Sequence, residues 1–300
     1  MRHSLKGLAA QLNFEWTRNR TIAGAAALVA AVALALGFGA SRSGAAADSK
    51  AGSLNVELPR AASDRIYAAP GSAGRPLVVI DAGHGGTDPG AISVSREISE
   101  KQLTLALAHE LRDVLIERGR VRVAMTRDDD RYLSLDDRAA VARRLDAGLF
   151  VSLHMDSAPN PLARGASVYS LSDVASDAEA ARFAAKLNRD AKLDGDAQGS
   201  VKAMLSDLAM RDQMGASAAF ASRLVDRSAG RFELRPEPHK FAAFHVLRRA
   251  GTPAVLFEAG YISNADDELL LRNPEHRKGI VLALAQAIEA DVAARSRHQS

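Results

Sequence analysis

The sequence predicts an α/β fold in which a twisted, mostly parallel β-sheet is flanked by helices on both faces. The first observation behind this prediction is that short apolar runs, with the length of buried strands, alternate with longer segments of helical periodicity. The second is that polar residues suited to catalysis follow several of these runs where each strand should end. The chain has 300 residues, 47% of them apolar, which is enough for a large buried core.

Residues 1–47 are predicted to form an export signal or a membrane anchor rather than part of the fold. An apolar stretch over residues 21–40 follows a basic flank, and the three alanines at 45–47 provide a cleavage motif. The basic flank consists of Arg2, Lys6, Arg18 and Arg20. Because roughly 20 apolar residues can also span a bilayer, an anchor in the inner membrane is the alternative to cleavage, which we favour. In both cases the bulk of the chain is exported.

Residues 48–75 are rich in Ala, Ser, Gly and Pro and predict a flexible linker, so the folded domain is expected over residues 76–296. The domain opens with "PLVVIDA", a predicted buried strand. The segment "EISEKQLTLALAHELRDVLIERG" has apolar residues at helical spacing and ends at Gly119. The strand "VRVAMTR" and the helix "SLDDRAAVARRLDAG" follow, the helix with Ser134 and Asp137 as a capping pair.

The second half of the domain continues the alternation of strands and helices, which a longer helical segment interrupts. "LFVSLHMD" and "GASVYSLS" are predicted strands, and the Ala-rich, charged residues 174–228 predict two or three helices. "TPAVLFEAGYISN" contains the last buried strand, and a closing helix is expected from about Pro274 to Ala294. The sequence therefore predicts a helical insertion, over residues 173–238, before the last strand.

The charge and cysteine counts narrow the classes of partner and cofactor. Of the 39 basic and 36 acidic residues, five and one lie in residues 1–47, which leaves 34 and 35 in the exported part. That part has no basic excess, so nucleic acid is not expected as a partner. The chain contains no cysteine, so any metal site must use histidines and carboxylates.

Three polar residues lie at or just past the ends of predicted buried strands. His84 follows "LVVIDAG", His154 ends "LFVSL" and Glu258 ends "AVLF". Because the functional crevice of an open α/β sheet lies outside the carboxyl ends of its strands, these residues should share one edge. Two histidines and a carboxylate, with an open fourth position, are the ligand set of catalytic zinc in several peptidases.

The third ligand is expected from the segment "REISEKQ". Glu100 lies at the start of the predicted helix, just after the glycine-rich loop, so its side chain can face back toward His84. Glu97 is the second choice. Glu258 is then free to act as general base and acid beside a zinc-bound water.

Other interpretations of the same segments are weaker. The loop "GHGGTDPG" matches neither GxGxxG nor GxxxxGK[ST], which argues against a phosphate site. His109 lies within a helix, and His239 in "RPEPHK" is expected in a loop because of the prolines. His245 could reach the same edge and contact substrate, although a structural role is favoured.

Four ordered segments of the sequence carry a resemblance to a known family. They are "VVIDAGHGGTDPGAIS", Glu100–Lys101, "SLHMDS" and "PAVLFEAGYISN". In this order they resemble the signature blocks of the zinc-dependent N-acetylmuramoyl-L-alanine amidases of the type 3 family. The resemblance implies zinc ligands at His84, Glu100 and His154 and a catalytic glutamate at Glu258. It also implies a sheet flanked by helices.

The resemblance implies an activity and a cellular place. The expected reaction is hydrolysis of the amide between the lactyl group of N-acetylmuramic acid and L-alanine in peptidoglycan. It would serve cell-wall remodelling or daughter-cell separation in the periplasm, in agreement with the export segment. A monomer is expected.

The insertion over residues 173–238 resembles that of cell-division amidases, in which a regulatory helix blocks the zinc until an activator protein docks. In those members an acidic residue follows an "EAAR"-like stretch and reaches toward the metal. Here Lys186, Leu187 and Asn188 lie around the comparable place, which puts direct plugging by a carboxylate in doubt. Asp190 or Glu179 could substitute for that residue, steric blocking is a second option, and an ordinary helical cap is the third.

Two other functions fit part of this pattern. A zinc carboxypeptidase or endopeptidase acting within the peptidoglycan stem peptide could use the same ligands. A non-catalytic wall-binding regulator is the other alternative, but degenerate members of such families lose metal ligands. Here all four candidate positions hold side chains able to do the chemistry.

Overall fold

A computed structural model of the chain describes residues 62–191 and 201–298. The predicted export segment over residues 1–47, and the first part of the predicted linker, lie outside the described residues. Within those two ranges, no helix is both long enough and apolar enough to cross a membrane.

The described residues form a seven-stranded sheet with the order β1-β3-β2-β4-β7-β5-β6. Neighbouring strands are parallel except in the pairs β1–β3 and β5–β7, so the expected mostly parallel sheet is confirmed. The strands are β1 Ile66–Tyr67, β2 Leu77–Ala82, β3 Arg122–Met125, β4 Leu149–Asp156, β5 Ala166–Leu171, β6 Leu234–Ala242 and β7 Ala254–Tyr261.

Seven α-helices accompany the sheet in the described ranges, together with a 3₁₀ turn at Asn188–Asp190. They are α1 Glu100–Arg118, α2 Leu135–Arg144, α3 Ala178–Leu187, α4 Val201–Ser228, α5 His245–Arg249, α6 Ala265–Arg272 and α7 Pro274–His298. The two or three helices expected over residues 174–228 are thus α3 and α4, separated by residues outside the described ranges.

The apolar core lies on both faces of the sheet, because successive side chains of a strand point to opposite sides. Val78 and Ile80 pack in the layer that contains the buried face of α1 and α7, and Val79 packs with α2, α3 and α5. The buried strand β2 is therefore apolar at every position until Asp81, as a strand covered on both faces requires.

The end of α1 and the start of α2 follow their predicted signals, whereas the cap at the start of α1 was not predicted. The backbone N–H of Ser99 donates to Gln102 Oε1 at 3.0 Å, and Gly119 ends α1 with a left-handed φ of 64°. In α2 the N–H of Asp137 donates to the Ser134 hydroxyl at 3.2 Å, which confirms the predicted capping pair. These caps place Glu100 in the first turn of α1.

The predicted linker over residues 48–75 extends too far. Ile66 and Tyr67 pair antiparallel with β3, and the Tyr67 hydroxyl donates to Asp128 Oδ2 at 3.1 Å. A two-residue strand is too short to show a periodicity, and its stability depends on a partner strand far along the chain. The ordered domain therefore includes part of the segment that was expected to be flexible.

The predicted loop around His239 and the end of the helical insertion are also corrected. Residues from Leu234 onward form β6, and the imidazole Nε2 of His239 lies 2.8 Å from the Ser170 hydroxyl. Prolines are tolerated here because β6 is an edge strand, and because the register with β5 shifts between residues 166 and 168. The proline pair thus lies in a bulge of an edge strand rather than in a loop.

Candidate metal centre

His84 lies in the loop that follows β2, where its backbone adopts a left-handed φ of 61°. Asp88, four residues further along the loop, places Oδ2 2.7 Å from His84 Nδ1 and leaves Nε2 to face the site. A carboxylate on the far nitrogen of a histidine fixes its tautomer and raises its basicity as a ligand. Sequence reasoning missed Asp88, although its position four residues after His84 is a local signal.

Glu100 is the residue that joins the two histidines. Its Oε1 lies 3.0 Å from His84 Nε2 and 2.9 Å from His154 Nδ1. The carboxylate is itself fixed by backbone donors, because Oε2 accepts from the N–H of Ala91 at 2.9 Å and Oε1 from that of Met155 at 3.1 Å. The start of α1 therefore holds a buried carboxylate between two imidazoles.

The predicted group of His84, Glu100 and His154 is brought together in the structure. One ligand atom from each residue lies within 4.8 Å of the others, and the two imidazole rings meet edge to face at 5.0 Å. Glu97, the second choice, points elsewhere, since its Oε2 lies 2.6 Å from the guanidinium of Arg272.

The electrostatics of this cluster fit a divalent cation. Burial opposes the charged form of His84, but Glu100 and Asp88 outweigh it and raise its pKa to about 9. Burial lowers the pKa of His154, and the two histidines outweigh burial to lower the pKa of Glu100. His84 Nε2 is buried and lies 3.0 Å from Glu100 Oε1 without the alignment of a hydrogen bond. Imidazole and carboxylate donors that face one another in this way are a set that a metal ion can bind.

Glu258 lies beside this cluster on the neighbouring strand. It is paired in register with His154 across β4 and β7, and it is fully buried. Neither of its oxygens has a hydrogen-bond partner in the described part of the chain. Burial, with the charges of Asp156 and Glu100, raises the pKa of Glu258 well above its usual range. Such a carboxyl group is suited to taking and returning a proton near neutral pH.

Two buried arginines, which sequence reasoning missed, hold the backbone under His84. The Arg127 guanidinium donates to the carbonyls of Ala82 at 2.8 Å and Gly83 at 2.9 Å. Arg138 donates to the carbonyls of Ala82 at 2.7 Å and His84 at 2.6 Å, and forms an ion pair with Asp81. Three consecutive carbonyls at the end of β2 are thus fixed by side-chain donors.

The glycines of the loop allow close approach to the side chains of His154 and Glu100. A Cβ at Gly83 would lie 2.4 Å from Cε1 of His154, and a Cβ at Gly90 would lie 2.6 Å from Oε2 of Glu100. Gly90 also has a left-handed φ of 67°. The loop is glycine-rich here because the side chains of His154 and Glu100 occupy the space of a methyl group.

We expect Gly83→Ala to weaken metal binding at least tenfold, because the new methyl group displaces the His154 ring. Zinc affinity measured by competition with a chelator checks this expectation. Gly74→Ala is the matched control, since a Cβ there meets nothing within 4 Å. Unchanged affinity in Gly83→Ala would show that His154 is not required in its present position.

We expect Asp88→Asn to lower metal affinity by about 10- to 100-fold without unfolding the domain. The amide keeps an oxygen for the N–H of Gly90, which Asp88 Oδ1 now accepts at 3.0 Å, but it no longer presents a carboxylate to His84. The same chelator competition, with a thermal unfolding curve as control for folding, separates the two effects. An affinity equal to that of the wild type would contradict a role for Asp88 in orienting His84.

The insertion contributes to the wall of a cavity next to this cluster. The cavity has a volume of about 50 Å³, and Leu187 and Asn188 line it together with His84 and His154. The Asn188 side chain donates to the carbonyl of Ala243 at 2.7 Å, so the end of α3 is fixed to the segment after β6. The space that remains is far smaller than the 300–1,000 Å³ of usual ligand pockets.

Glu179 and His245, two other candidates for this site, have other contacts. Glu179 does not reach the cluster, because its carboxylate binds Arg235 at 2.9 Å. The side chain of Asp190 lies outside the described residues. His245 Nε2 lies 2.9 Å from Asp136 Oδ1, which agrees with the favoured structural role.

This chain is similar in sequence and in fold to known proteins. AmiA, an N-acetylmuramoyl-L-alanine amidase of Escherichia coli (strain K12), is 34% identical over 222 residues, which cover 72% of this chain and 76% of AmiA. The catalytic domain of CwlV, an N-acetylmuramoyl-L-alanine amidase from Bacillus (Paenibacillus) polymyxa var. colistinus, is 28% identical with a TM-score of 0.50. That match covers 71% of this chain and 96% of the CwlV chain.

A third relative shows the fold alone. The CwlD amidase from Clostridioides difficile, solved in complex with the GerS lipoprotein, is 21% identical with a TM-score of 0.52 and covers 73% of this chain and 100% of its own. Residues 78–290 match the model of the family Amidase_3, which is described as N-acetylmuramoyl-L-alanine amidase. Since that match spans more than half of the sequence, the chain belongs to the N-acetylmuramoyl-L-alanine amidase family of hydrolases.

Proposed function

We propose that this protein is a zinc-dependent amidase that hydrolyses the bond between N-acetylmuramic acid and L-alanine in peptidoglycan. The observation that carries the proposal is the cluster of His84, Glu100 and His154 with Glu258 beside it on the next strand. The first three residues are the proposed zinc ligands, and Glu258 is the proposed catalytic acid and base. Two imidazoles and one carboxylate are a ligand set that zinc uses in peptidases.

The mechanism assigns a separate task to each side chain. Zinc at this site supplies a Lewis acid for the amide carbonyl and for the attacking water. Glu258 takes the proton of that water and returns it to the leaving amine of L-alanine. Asp88 holds His84 in one tautomer, and the backbone donors on Glu100 keep its carboxylate between the imidazoles.

We place the enzyme in the periplasm, with a role in cell-wall remodelling or daughter-cell separation. Support comes from the sequence of residues 1–47, which has the pattern of an export signal or an inner-membrane anchor. A peptidoglycan substrate lies outside the inner membrane, in agreement with export.

We further propose that the helical insertion, predicted over residues 173–238 but ending at residue 233 before β6, is regulatory and that an activator protein docks on it. Leu187 and Asn188 line the cavity next to His84 and His154, and its volume of about 50 Å³ is too small for a disaccharide peptide. The end of α3 must therefore move before substrate reaches Glu258. The CwlD amidase has been solved with the GerS lipoprotein as a partner, which supports a partner-dependent mechanism.

The test is digestion of purified sacculi by the zinc-loaded protein, with and without residues 173–233, followed by mass spectrometry. An amidase releases intact stem peptides with a free alanine amine and leaves lactyl carboxylates on the glycan. Cleavage within the stem would instead identify an endopeptidase or carboxypeptidase. No release by either form, with zinc bound in both, would favour a non-catalytic wall-binding protein.

A further inference from the structure

We propose that Arg235, Lys240 and Tyr261 form a carboxylate-binding subsite for the stem peptide, and that Glu179 of α3 occupies this subsite in place of the substrate. The inference deepens the proposed function and rests on it. These three side chains of the sheet would bind the substrate once the insertion has moved. Occupation of the subsite by Glu179 also explains why the insertion carries a carboxylate that does not reach the predicted metal ligands.

Four donor contacts converge on the single carboxylate of Glu179. Arg235 binds it with both terminal nitrogens, Nη1 to Oε1 at 2.9 Å and Nη2 to Oε2 at 3.0 Å. The Tyr261 hydroxyl donates to Oε1 at 3.2 Å, and Lys240 Nζ donates to Oε2 at 3.3 Å. A planar fork with an ammonium and a hydroxyl is a geometry that selects a carboxylate.

All of these donors belong to the sheet, whereas the acceptor belongs to the insertion. Arg235 and Lys240 lie on β6, and Tyr261 ends β7. Lys240 is 6% exposed and Tyr261 is fully buried, so neither is a mobile surface group. Arg235 also donates to the Tyr261 hydroxyl, which fixes the donors relative to each other. The subsite is therefore preorganised on a rigid surface and remains when α3 leaves.

Charge balance requires a new anion when the insertion moves. Both carboxylates that pair with these cations, Glu179 and Asp177, belong to α3 and its N-cap. If α3 undocks, Arg235 and Lys240 lose both partners together. Asp156, which stays on β4 beside Tyr261, can compensate at most one of the two positive charges. A buried cation without a partner is costly, so the open form favours an anionic ligand.

The subsite lies at the right distance along the sheet from the reacting centre. Tyr261 is paired in register with Asp156, and Asp156 follows the proposed zinc ligand His154 by two residues on β4. Two strand residues span about 6.5 Å, which is roughly the length of one to two peptide units. In peptidoglycan the residue after L-alanine is acidic, and its α-carboxylate is free or amidated. We assign that free carboxylate to Arg235.

Two roles of Arg235 can be told apart by replacing each partner of its ion pair with Glu179. In the first role Arg235 only holds α3 in place, and in the second it also binds the substrate. If Arg235 only holds α3 in place, removal of either Glu179 or Arg235 releases the insertion and activates the enzyme equally. If Arg235 also binds substrate, removal of Glu179 activates the enzyme. Removal of Arg235 instead weakens binding of the acidic stem peptide. The two variants therefore differ in sign on one substrate.

The experiment compares Glu179→Ala, Arg235→Gln and the double variant on two soluble muramyl peptides, one with a free α-carboxylate after L-alanine and one with the amide. We expect Glu179→Ala to raise kcat/KM at least tenfold and to prefer the free carboxylate at least tenfold. We expect the double variant to lose that preference. Binding of both peptides in a Glu258→Gln background, measured by calorimetry, should show the same tenfold preference and its loss.

Control variants keep the outcomes separable. Arg144→Gln makes the same change at an exposed ion pair with Asp64, and should leave the preference unchanged. Arg235→Lys, which keeps the charge without the fork, guards against misfolding of the Gln variant and should retain only part of the preference. Equal activation by Glu179→Ala and Arg235→Gln on both peptides would overturn the subsite. Failure of every variant to cleave either peptide, with zinc bound, would instead overturn the proposed function.

Discussion

Replacing Glu258 by glutamine is expected to reduce the hydrolysis of peptidoglycan by about 10³-fold or more while the protein still binds zinc. Glutamine has nearly the same shape but cannot take a proton from water. Glu258 is not one of the proposed ligands, so the group formed by His84, Glu100 and His154 should remain intact. The measurement is the rate of stem-peptide release at saturating zinc, with the metal content determined on the same samples.

The same replacement is expected to raise thermal stability. The Glu258 oxygens are buried without a hydrogen-bond partner among the described residues, and burial disfavours the charge. A neutral amide of the same volume removes that cost in part. Residues placed for chemistry often destabilise the fold, and a variant that gains stability as it loses activity has this signature.

Glu97→Gln is the matched control for both measurements. Glu97 lies close to the site in sequence but forms an exposed ion pair with Arg272, so its replacement should leave rate and stability nearly unchanged. If Glu258→Gln kept more than a tenth of the wild-type rate, another group would have to be the base. Of the described carboxylates, Asp88 would then be the first to test.

The predicted site residues that the structure brings to one edge of the sheet share a simple physical reason. His84, His154 and Glu258 interrupt apolar runs, and the end of a buried strand is a place that periodicity can find. Parallel strands then bring such ends to one edge without further information. Glu100 could be placed because it follows the glycine-rich loop at the start of a segment with helical periodicity. Local patterns were enough for these positions.

The features that sequence reasoning missed depend on partners that are distant along the chain. Arg127 and Arg138 appear in polar segments typical of a surface. In the structure both are buried, and backbone carbonyls of neighbouring segments accept their hydrogen bonds. The two-residue strand β1 exists only through its pairing with β3. Edge strand β6 contains prolines that argue against a strand until its bulge is known. Non-local pairing decides each of these cases.

Arg127→Met is expected to have the largest effect on the fold, with a loss of about 3 kcal/mol in the free energy of unfolding. The guanidinium is fully buried and donates to five acceptors. Besides the carbonyls of Ala82 and Gly83, it binds the carbonyl of Lys101 at 2.9 Å in the first turn of α1. Methionine fills similar space but leaves carbonyls in the interior without a donor.

The position of these acceptors connects stability with the metal site. Arg127 bridges the loop that carries His84 to the helix that carries Glu100. Loss of the bridge should let these two proposed ligands move apart, so zinc affinity should fall together with stability. We therefore expect the folded fraction of Arg127→Met to bind zinc at least tenfold more weakly than the wild type. Urea unfolding and chelator competition measure the two quantities separately.

Arg127→Lys tests whether charge or geometry matters at this position. Lysine keeps the positive charge but is a point donor that cannot reach the carbonyls on both segments at once. We expect it to recover less than half of the lost stability. Arg122→Met is the control, because Arg122 donates to a single carbonyl, that of Arg75, at an exposed site, and its loss should cost no more than about 0.5 kcal/mol. If Arg127→Met unfolded at the same urea concentration as Arg122→Met and kept full zinc affinity, the loop under His84 would be fixed by Arg138 alone.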